Sequence, residues 1–458
     1  MKILILGAGQ VGSSAAYHLS REEANEVTVV DVRPDVLREL QDRLDIRTVV
    51  GHAAFPEVLN RAGANDADII VALTDGDEVN MIACQVAYTM FHTPTKIARI
   101  RAAEYMNASK LFAQDAIPID VRISPEQLVC EYVEQLILYP GATQVLDFAD
   151  GRVRLVGVMA APDGLLVGQR IANLKDHIPN TEGRIAAIYR GGEAMLPDGD
   201  TIISEGDEVF FITDRKDIRV FMSEIRRLED PVRRVVIAGG GNIGVRLALA
   251  LEQTNQVKII ERDPKRARQI SEQVNKAIVL VGDAADEELL LEENVDNVDV
   301  FCALTNSEEA NILSSMLAKR LGAHKVMALI NRPSYVDLVE SGSIDIAISP
   351  QQVTIGSLLA HVRRGDVVKV HSLRRGAAEA IEAIAHGSKE TSQVVGRCID
   401  EVDLPKGSAI VALVRGDKVI IAHHDVMIEP DDHVILFMTD RRKIDKIEAL
   451  FQVDVSFV

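Results

Sequence analysis

Residues 2–12 read KILILGAGQVG, and residues 234–244 read RVVIAGGGNIG. In both, a short apolar strand runs into Gly-x-Gly-x-x-Gly and then into a helical pattern. A loop of this composition turns sharply and lets the backbone approach a pyrophosphate, while the following helix N-terminus offers amides and a positive dipole end. One such loop is weak evidence. Here each is followed by an acid at the end of the second strand: Asp31 stands roughly 20 residues after Gly12, and Glu261 repeats the arrangement. A carboxylate at that point hydrogen-bonds two ribose hydroxyls and repels a 2′-phosphate, so NAD or an adenosine ribose is favoured over NADP.

The repeat extends outward from these loops. VTVVDVRPD at 27–35 matches VKIIERDPK at 257–265, and VVGHAAFPEVL at 49–59 matches VLVGDAADEEL at 279–289. DADIIVALTDGDEVN at 66–80 matches NVDVFCALTNSEEAN at 297–311, and ISPEQ at 123–127 matches ISPQQ at 348–352. Five matches in one order identify a tandem duplication. Short apolar runs alternate with helical stretches, which implies a parallel doubly wound sheet in each half. Ser124-Pro125 and Ser349-Pro350 then start a helix, with Gln127 and Gln352 where a capping box wants Glu or Gln. The first of these helices carries Leu128, Val129, Tyr132, Val133, Leu136 and Ile137 along one stripe, and the second carries Val353, Leu358, Leu359 and Val362. The first could cover its own sheet or a second subunit, and both stripes are expected in domain or subunit contacts.

Beyond each helix the texture changes to Val, Ile and Asp-Gly turns, the mark of a small domain of short strands and hairpins. The fold class is therefore α/β: a Rossmann-like doubly wound parallel-sheet domain followed by a small mixed lobe, all duplicated. The expected limits are 1–123, 124–141 and 142–227 for the first Rossmann domain, crossover helix and lobe, and 232–348, 349–365 and 366–453 for the second. The charged stretch RRLEDPVRR at 226–234 is the expected hinge between halves.

Composition narrows the function. At 47% apolar and 26% charged residues the chain is globular, and a net charge of −19 repels nucleic acid and anionic lipid. Cys84, Cys130, Cys302 and Cys398 form no metal or redox cluster and read as buried residues in a reducing compartment. No apolar run is long enough to span a bilayer, and a strand starts at Lys2 with no signal peptide before it, so a cytosolic protein without membrane insertion is expected. Thr74 and Asp75, with Thr305 and Asn306, end the fourth strand of each half, at the carboxyl edge where ligands sit in doubly wound folds. Their hydroxyls either touch a ribose or cap a helix. Arg99 ends the next strand and can reach a phosphate, whereas Leu329 holds the aligned position. His177, His371, His386, His423, His424 and His433 are scattered and align with no histidine in the other half, and no catalytic motif accompanies the clefts. The chain reads as a sensor, not an enzyme; the alternative is an NAD-dependent oxidoreductase with an unfamiliar catalytic domain.

A glycine loop, an acid after strand two, an ALT strand end, an ISP helix start and a small C-terminal lobe together resemble an RCK (KTN) unit. Two in tandem resemble the cytosolic regulatory subunits of bacterial Trk potassium-uptake systems, over essentially the whole chain. The resemblance implies binding of NAD(H) and of ATP or ADP, a homo-oligomeric ring, expected as a tetramer with eight Rossmann domains, and docking beneath a membrane potassium channel subunit at the inner face of the plasma membrane. It further implies a first nucleotide site at Gly7, Ala8, Gly9, Gln10, Val11, Asp31, Thr74, Asp75 and Arg99, and a second at Gly239, Gly240, Gly241, Asn242, Ile243, Glu261, Thr305 and Asn306. Leu329 departs from this pattern and removes a phosphate partner from the second site.

Overall fold

The computed structural model describes residues 1–22, 25–113, 116–332, 344–362, 367–373 and 378–452, with single positions between 333 and 343; the expected boundaries at 365, 366 and 453 fall outside them. Two compact units emerge: residues 1–128 with 350–362, and residues 129–349 with 363–458.

The first unit is built on six parallel strands, β1 (Lys2–Leu6), β2 (Glu26–Asp31), β3 (Arg47–Val50), β4 (Ile69–Ala72), β5 (Thr95–Arg99) and β6 (Val121–Ile123), in the order β3-β2-β1-β4-β5-β6. The central strands read as unbroken apolar runs because helices cover both faces, and Leu4, Leu6, Ile70 and Ala98 are buried in one core with Cys84 and Ile100. The order reverses between β1 and β4, so the crevice at their carboxyl ends is the ligand position of such a sheet. The Gln10–Leu19 helix lies beside the Pro350–Val362 helix, which also contacts β6.

The second unit repeats the sheet with β12 (Arg234–Ala238), β13 (Gln256–Glu261), β14 (Ile278–Val281), β15 (Val300–Ala303), β16 (Lys325–Leu329) and β17 (Ile346–Ile348), in the order β14-β13-β12-β15-β16-β17. Its core takes in Val129, Cys130, Val133, Leu136 and Ile137 from the Pro125–Leu138 helix, packed with Val235, Ile237, Val257 and Ile259. These side chains thus pack away from the sheet of their own half. Their helix covers the sheet of the other half, and the Pro350–Val362 helix does the converse. Each such side chain taken from water is worth roughly 1.5–3 kcal/mol, so the exchange is a main source of cohesion.

The lobes are antiparallel. β7 (Ala142–Phe148), β8 (Val153–Met159), β9 (Gly183–Arg190), β10 (Glu193–Met195) and β11 (Glu208–Asp214) order as β10-β9-β11-β8-β7. β18 (Val367–Leu373), β19 (Ala378–Ile384), β20 (Ser408–Arg415), β21 (Lys418–Ile421) and β22 (His433–Met438) order as β18-β19-β22-β20-β21, the same topology. One core joins the two lobes through Phe148, Leu155, Phe210, Ala380, Val411 and Phe437. The stretch expected as a hinge is docked. Arg226 donates to Gly141 O and to Glu229, while the amides of Arg233 and Arg234 bond Asp299 at 2.7 and 2.8 Å. Val232 packs on the second Rossmann core.

Candidate nucleotide clefts

Each glycine loop leaves the central strand through a left-handed residue, Gly7 at φ +100° and Gly239 at φ +109°, a conformation that side chains resist. A Cβ on Gly7 would also lie 2.9 Å from Leu73 O, so the loop rests directly on the end of β4. Gly9 and Gly241 differ in kind. A Cβ there meets nothing within 4 Å, which leaves an open cradle against the backbone. Each then starts a helix, Gln10–Leu19 or Asn242–Leu251, with no side chain capping its first turn. Open backbone plus uncapped amides is the geometry that receives a phosphate. Gln10, Val11, Asn242 and Ile243 contribute those first-turn amides.

The acids are tied to the loops. Ala8 N–H donates to Asp31 Oδ2 at 2.6 Å, and Gly240 N–H donates to Glu261 Oε2 at 2.9 Å. Asp31 Oδ1 also accepts from Arg33 N–H and Nε at 2.9 and 3.2 Å. Burial alone raises the Asp31 carboxyl, but the Ala8 and Arg33 amides and the Arg33 guanidinium outweigh it and hold it below the ordinary carboxylate range. Asp31 is therefore ionised at neutral pH; three donors already use most of its roughly four acceptor sites, so a second ribose hydroxyl would displace the long Arg33 Nε contact. The longer Glu261 reaches the same loop only because residue 240 is glycine: a Cβ there would stand 2.8 Å from Glu261 Oε2 and 2.1 Å from Ile270 Cδ1. Ala8 with Asp31 and Gly240 with Glu261 are matched pairs.

Opposite each loop, a buried asparagine organises the carboxyl edge. Asn80 Oδ1 accepts from Thr74 N–H and Oγ1, and Asn80 Nδ2 donates to Arg99 O. Asn311 does the same for Thr305 and for Leu329 O. These residues tie the end of one strand to the next. The threonine hydroxyls spend their proton on asparagine, and that of Thr305 also accepts from Ser307 N–H at 3.2 Å. Asp75 and Asn306 lie exposed beside them. Sequence reasoning overlooked Asn80 and Asn311, although both close the matched ALT segments at equivalent positions.

Arg99 ends β5 opposite Ile123 and Leu329 ends β16 opposite Ile348, which confirms their equivalence. Arg99 Nε is buried and has no hydrogen-bond partner among the described residues. Burial and the neighbouring Arg101 depress its pKa, and the carboxylates Glu126, Asp77 and Asp75 oppose them. An anion in the first cleft would answer this buried donor. Leu329 is itself buried and offers no such group.

The described residues contain no group of His, Cys, Asp and Glu able to hold a metal ion, and no helix among them is long and apolar enough to cross a membrane. Two of the lobe histidines pair with carboxylates: His177 meets Glu224 at 2.7 Å, and His433 meets Glu382 at 2.5 Å.

A duplicated Rossmann domain with a glycine loop, an acid at the end of its second strand and a small antiparallel lobe defines the tandem RCK class of fold. The TrkA-N domain family matches residues 3–125 and 235–350, and the TrkA-C domain family matches residues 155–226 and 389–452. Similar proteins include a Trk system potassium uptake protein TrkA of Halomonas elongata, 60% identical, and one of Vibrio alginolyticus, 56% identical, each match covering 100% of both chains. The chain belongs to the TrkA family. Among solved structures, the GsuK RCK domain aligns with a TM-score of 0.62 at 18% identity, covering 98% of this chain and 95% of that one. The GsuK channel bound to NAD aligns with a TM-score of 0.60 at 19% identity, covering 98% of this chain and 79% of that one. These two support the fold.

Proposed function

We propose that this chain is the nucleotide-sensing regulatory subunit of a Trk-type potassium-uptake system, acting from the cytoplasmic side on a membrane channel subunit and assembling as a homo-oligomer, a tetramer. The observation that carries the reading is the loop-to-acid bond in both halves, Ala8 to Asp31 and Gly240 to Glu261, beside open cradles at Gly9 and Gly241. Full-length kinship with Trk system proteins supplies the physiological setting. NAD(H), ATP and ADP share the adenosine ribose and phosphates that such clefts recognise. The first site comprises Gly7, Ala8, Gly9, Gln10, Val11, Asp31, Thr74, Asp75 and Arg99. The second comprises Gly239, Gly240, Gly241, Asn242, Ile243, Glu261, Thr305 and Asn306. Bound nucleotide would supply anionic phosphates to the helix N-termini; the chain's own groups orient it and sense its charge.

The exchanged helices give a route from cleft to assembly. The Pro350–Val362 helix rests on the Gln10–Leu19 helix, whose N-terminus forms the first cradle. Cys130, on the other exchanged helix, lies 3.3 Å from Ile243 O in the first turn at the second cradle. A nucleotide moves a conformational equilibrium only by binding one state more tightly. In this reading, a shift of the cradle helix carries the other half's helix with it, and the ring moves as rigid bodies pulling on the channel.

The test is potassium flux through vesicles holding the channel subunit and this protein, with NAD, NADH, ADP and ATP compared. Flux should depend on the nucleotide, and Asp31→Ala with Glu261→Ala should abolish that dependence. Flux that needs the protein but ignores all four nucleotides refutes the reading. Asp31→Ala alone should weaken first-site binding by about 1.5–3 kcal/mol, the range for a charge-assisted hydrogen bond.

A further inference from the structure

The carbonyl of the loop residue bonded to each acid is satisfied differently in the two halves. In the first, Ala8 O accepts from Ser13 Oγ at 2.9 Å, a neutral cap from the cradle helix. In the second, Val245 occupies the equivalent helix position and has no hydroxyl. Gly240 O accepts instead from Arg266 Nε at 3.1 Å. Arg266 comes from the Pro264–Gln273 helix, where the first half has Val36. The residue that donates its N–H to Glu261 thus receives a guanidinium on its carbonyl. Of the guanidinium's other groups, Nη1 has a 3.5 Å contact with Gln269 Oε1, long for a strong bond. Arg266 is half-buried, and its Nε anchor limits how far the charge can wander.

The surroundings agree in sign. Arg262, Asp263, Lys265, Arg266 and Arg268 follow Glu261, a net positive stretch, whereas Arg33, Asp35, Arg38 and Glu39 follow Asp31 and balance. Arg332, beyond the end of β16, is occupied by Tyr335 OH at 2.9 Å and by Glu309. The first cleft has Arg33 on its ribose-side acid, Asp31, and Arg99 on β5, two strands from the glycine loop and so about 10 Å across the sheet. The second has Asp263 in place of Arg33 and Leu329 in place of Arg99, and its cation stands on the loop carbonyl.

We infer that Arg266 is the specificity-determining cation of the second cleft, pairing with the phosphate next to the adenosine ribose, while Arg99 at the first cleft addresses the distal phosphate. This rests on the reading of both clefts as nucleotide sites. Its consequence is a division of labour: the first cleft distinguishes ATP from ADP, and the second binds both alike.

The experiment uses the full chain with one cradle closed at a time. Gly9→Asp or Gly241→Asp puts a carboxylate in open space, without a steric clash, where phosphate must lie. Calorimetric titration of the Gly9→Asp chain should give ADP and ATP affinities within about three-fold of each other, and adding Arg266→Ala should weaken both about ten-fold, the scale of one charge-assisted contact. In the Gly241→Asp chain, Arg266→Ala should change nothing, and Arg99→Ala should remove the difference between ATP and ADP. Val245→Ser with Arg266→Ala, in the Gly9→Asp chain, restores a hydroxyl cap without the charge, and the ten-fold loss should persist. If that pair recovers wild-type affinity, Arg266 is only a loop cap and the inference fails. It also fails if Arg266→Ala leaves second-cleft binding unchanged. Absence of saturable nucleotide binding by the unmodified chain would instead overturn the functional reading beneath it.

Discussion

The two nucleotide clefts share a backbone and differ in their charges. Both have the left-handed glycine, the open cradle residue, the amide-to-acid bond and the buried asparagine that ties strand ends together. They part at Ser13 against Val245, at Arg99 against Leu329 and at Val36 against Arg266. What is common is what any adenosine phosphate demands: amides for the phosphate and a carboxylate for the ribose. What differs is where a cation stands along the ligand. Duplication thus keeps a binding scaffold while letting each copy acquire its own electrostatic preference, and the lobes and exchanged helices show the same pattern of kept topology and altered side chains.

The largest effect is expected from the exchanged helices. Leu136 belongs to the first half in sequence but is 1% exposed in the core of the second Rossmann sheet. Leu136→Ala should cost about 2–5 kcal/mol, the range for opening a cavity at a buried leucine. Hydrogen exchange should then quicken in β12, β13 and β15 while β1, β2 and β4 keep their protection. The mirror change, Leu358→Ala, should loosen the first sheet and spare the second. If Leu136→Ala instead loosens the first sheet, the helices are not exchanged in solution.

The lobes give the next contrast. Strand pairing aligns Leu146 on β7 with His371 on β18. His371 packs edge-on against Phe148 at 5.0 Å between centroids, with Nε2 3.1 Å from Asp147 O. Burial pushes its pKa down to about 4 from 6.5; nearby Lys369 acts in the same direction, and Asp147 and Glu382 oppose it. The sign follows from linkage. As pH falls below about 6.5 the unfolded chain takes up the proton first, so stability is lost between about pH 6.5 and 4 and is intact above. The loss is on the order of 3 kcal/mol, by the free energy per pKa unit. His371→Leu makes the second lobe resemble the first and should flatten that part of the stability curve in urea melts at stepped pH. An unchanged acid limb would show that His371 is not what titrates.

Much of this was legible in the sequence because its physics is local. A strand, a left-handed glycine, a helix start and an acid at the next strand end are short-range requirements, so Gly7, Gly9, Asp31 and their counterparts could be read directly. The five aligned segments likewise fixed the parallel sheet and its duplication. The destination of the apolar helices was not legible: the stripe at Leu128–Ile137 says that something must cover it, but not which sheet, because both halves offer similar apolar faces. The docking of 226–234 was hidden for a related reason. Its charges read as a solvated hinge, and only the fold brings Gly141 O and Asp299 to meet them. Arg266 escaped notice because Val36, its counterpart, is unlike it, and a comparison by repeat discards what does not match.

The smallest expected effect tests whether the capping of the loop carbonyl matters apart from charge. Ser13 donates to Ala8 O, and Val245 shows that the fold accepts a β-branched residue at this helix position. Ser13→Val therefore makes the first loop like the second but without an arginine to replace the lost bond. The cost should be that of one neutral hydrogen bond, about 0.5–1.5 kcal/mol, since Ala8 O keeps an acceptor that solvent or Val36→Arg could serve. First-cleft affinity for ADP should fall by a few-fold, with the ATP to ADP ratio unchanged because Arg99 is untouched. Ser13→Val with Val36→Arg transplants the second cleft's arrangement into the first. It should recover ADP affinity and bring both nucleotides above wild type, because a guanidinium then faces the inner phosphate that both carry. If the double variant binds no better than Ser13→Val, an arginine at this position does not reach the loop carbonyl in the first half. The difference between the clefts would then lie in the paths of their second helices and not in the side chains they carry.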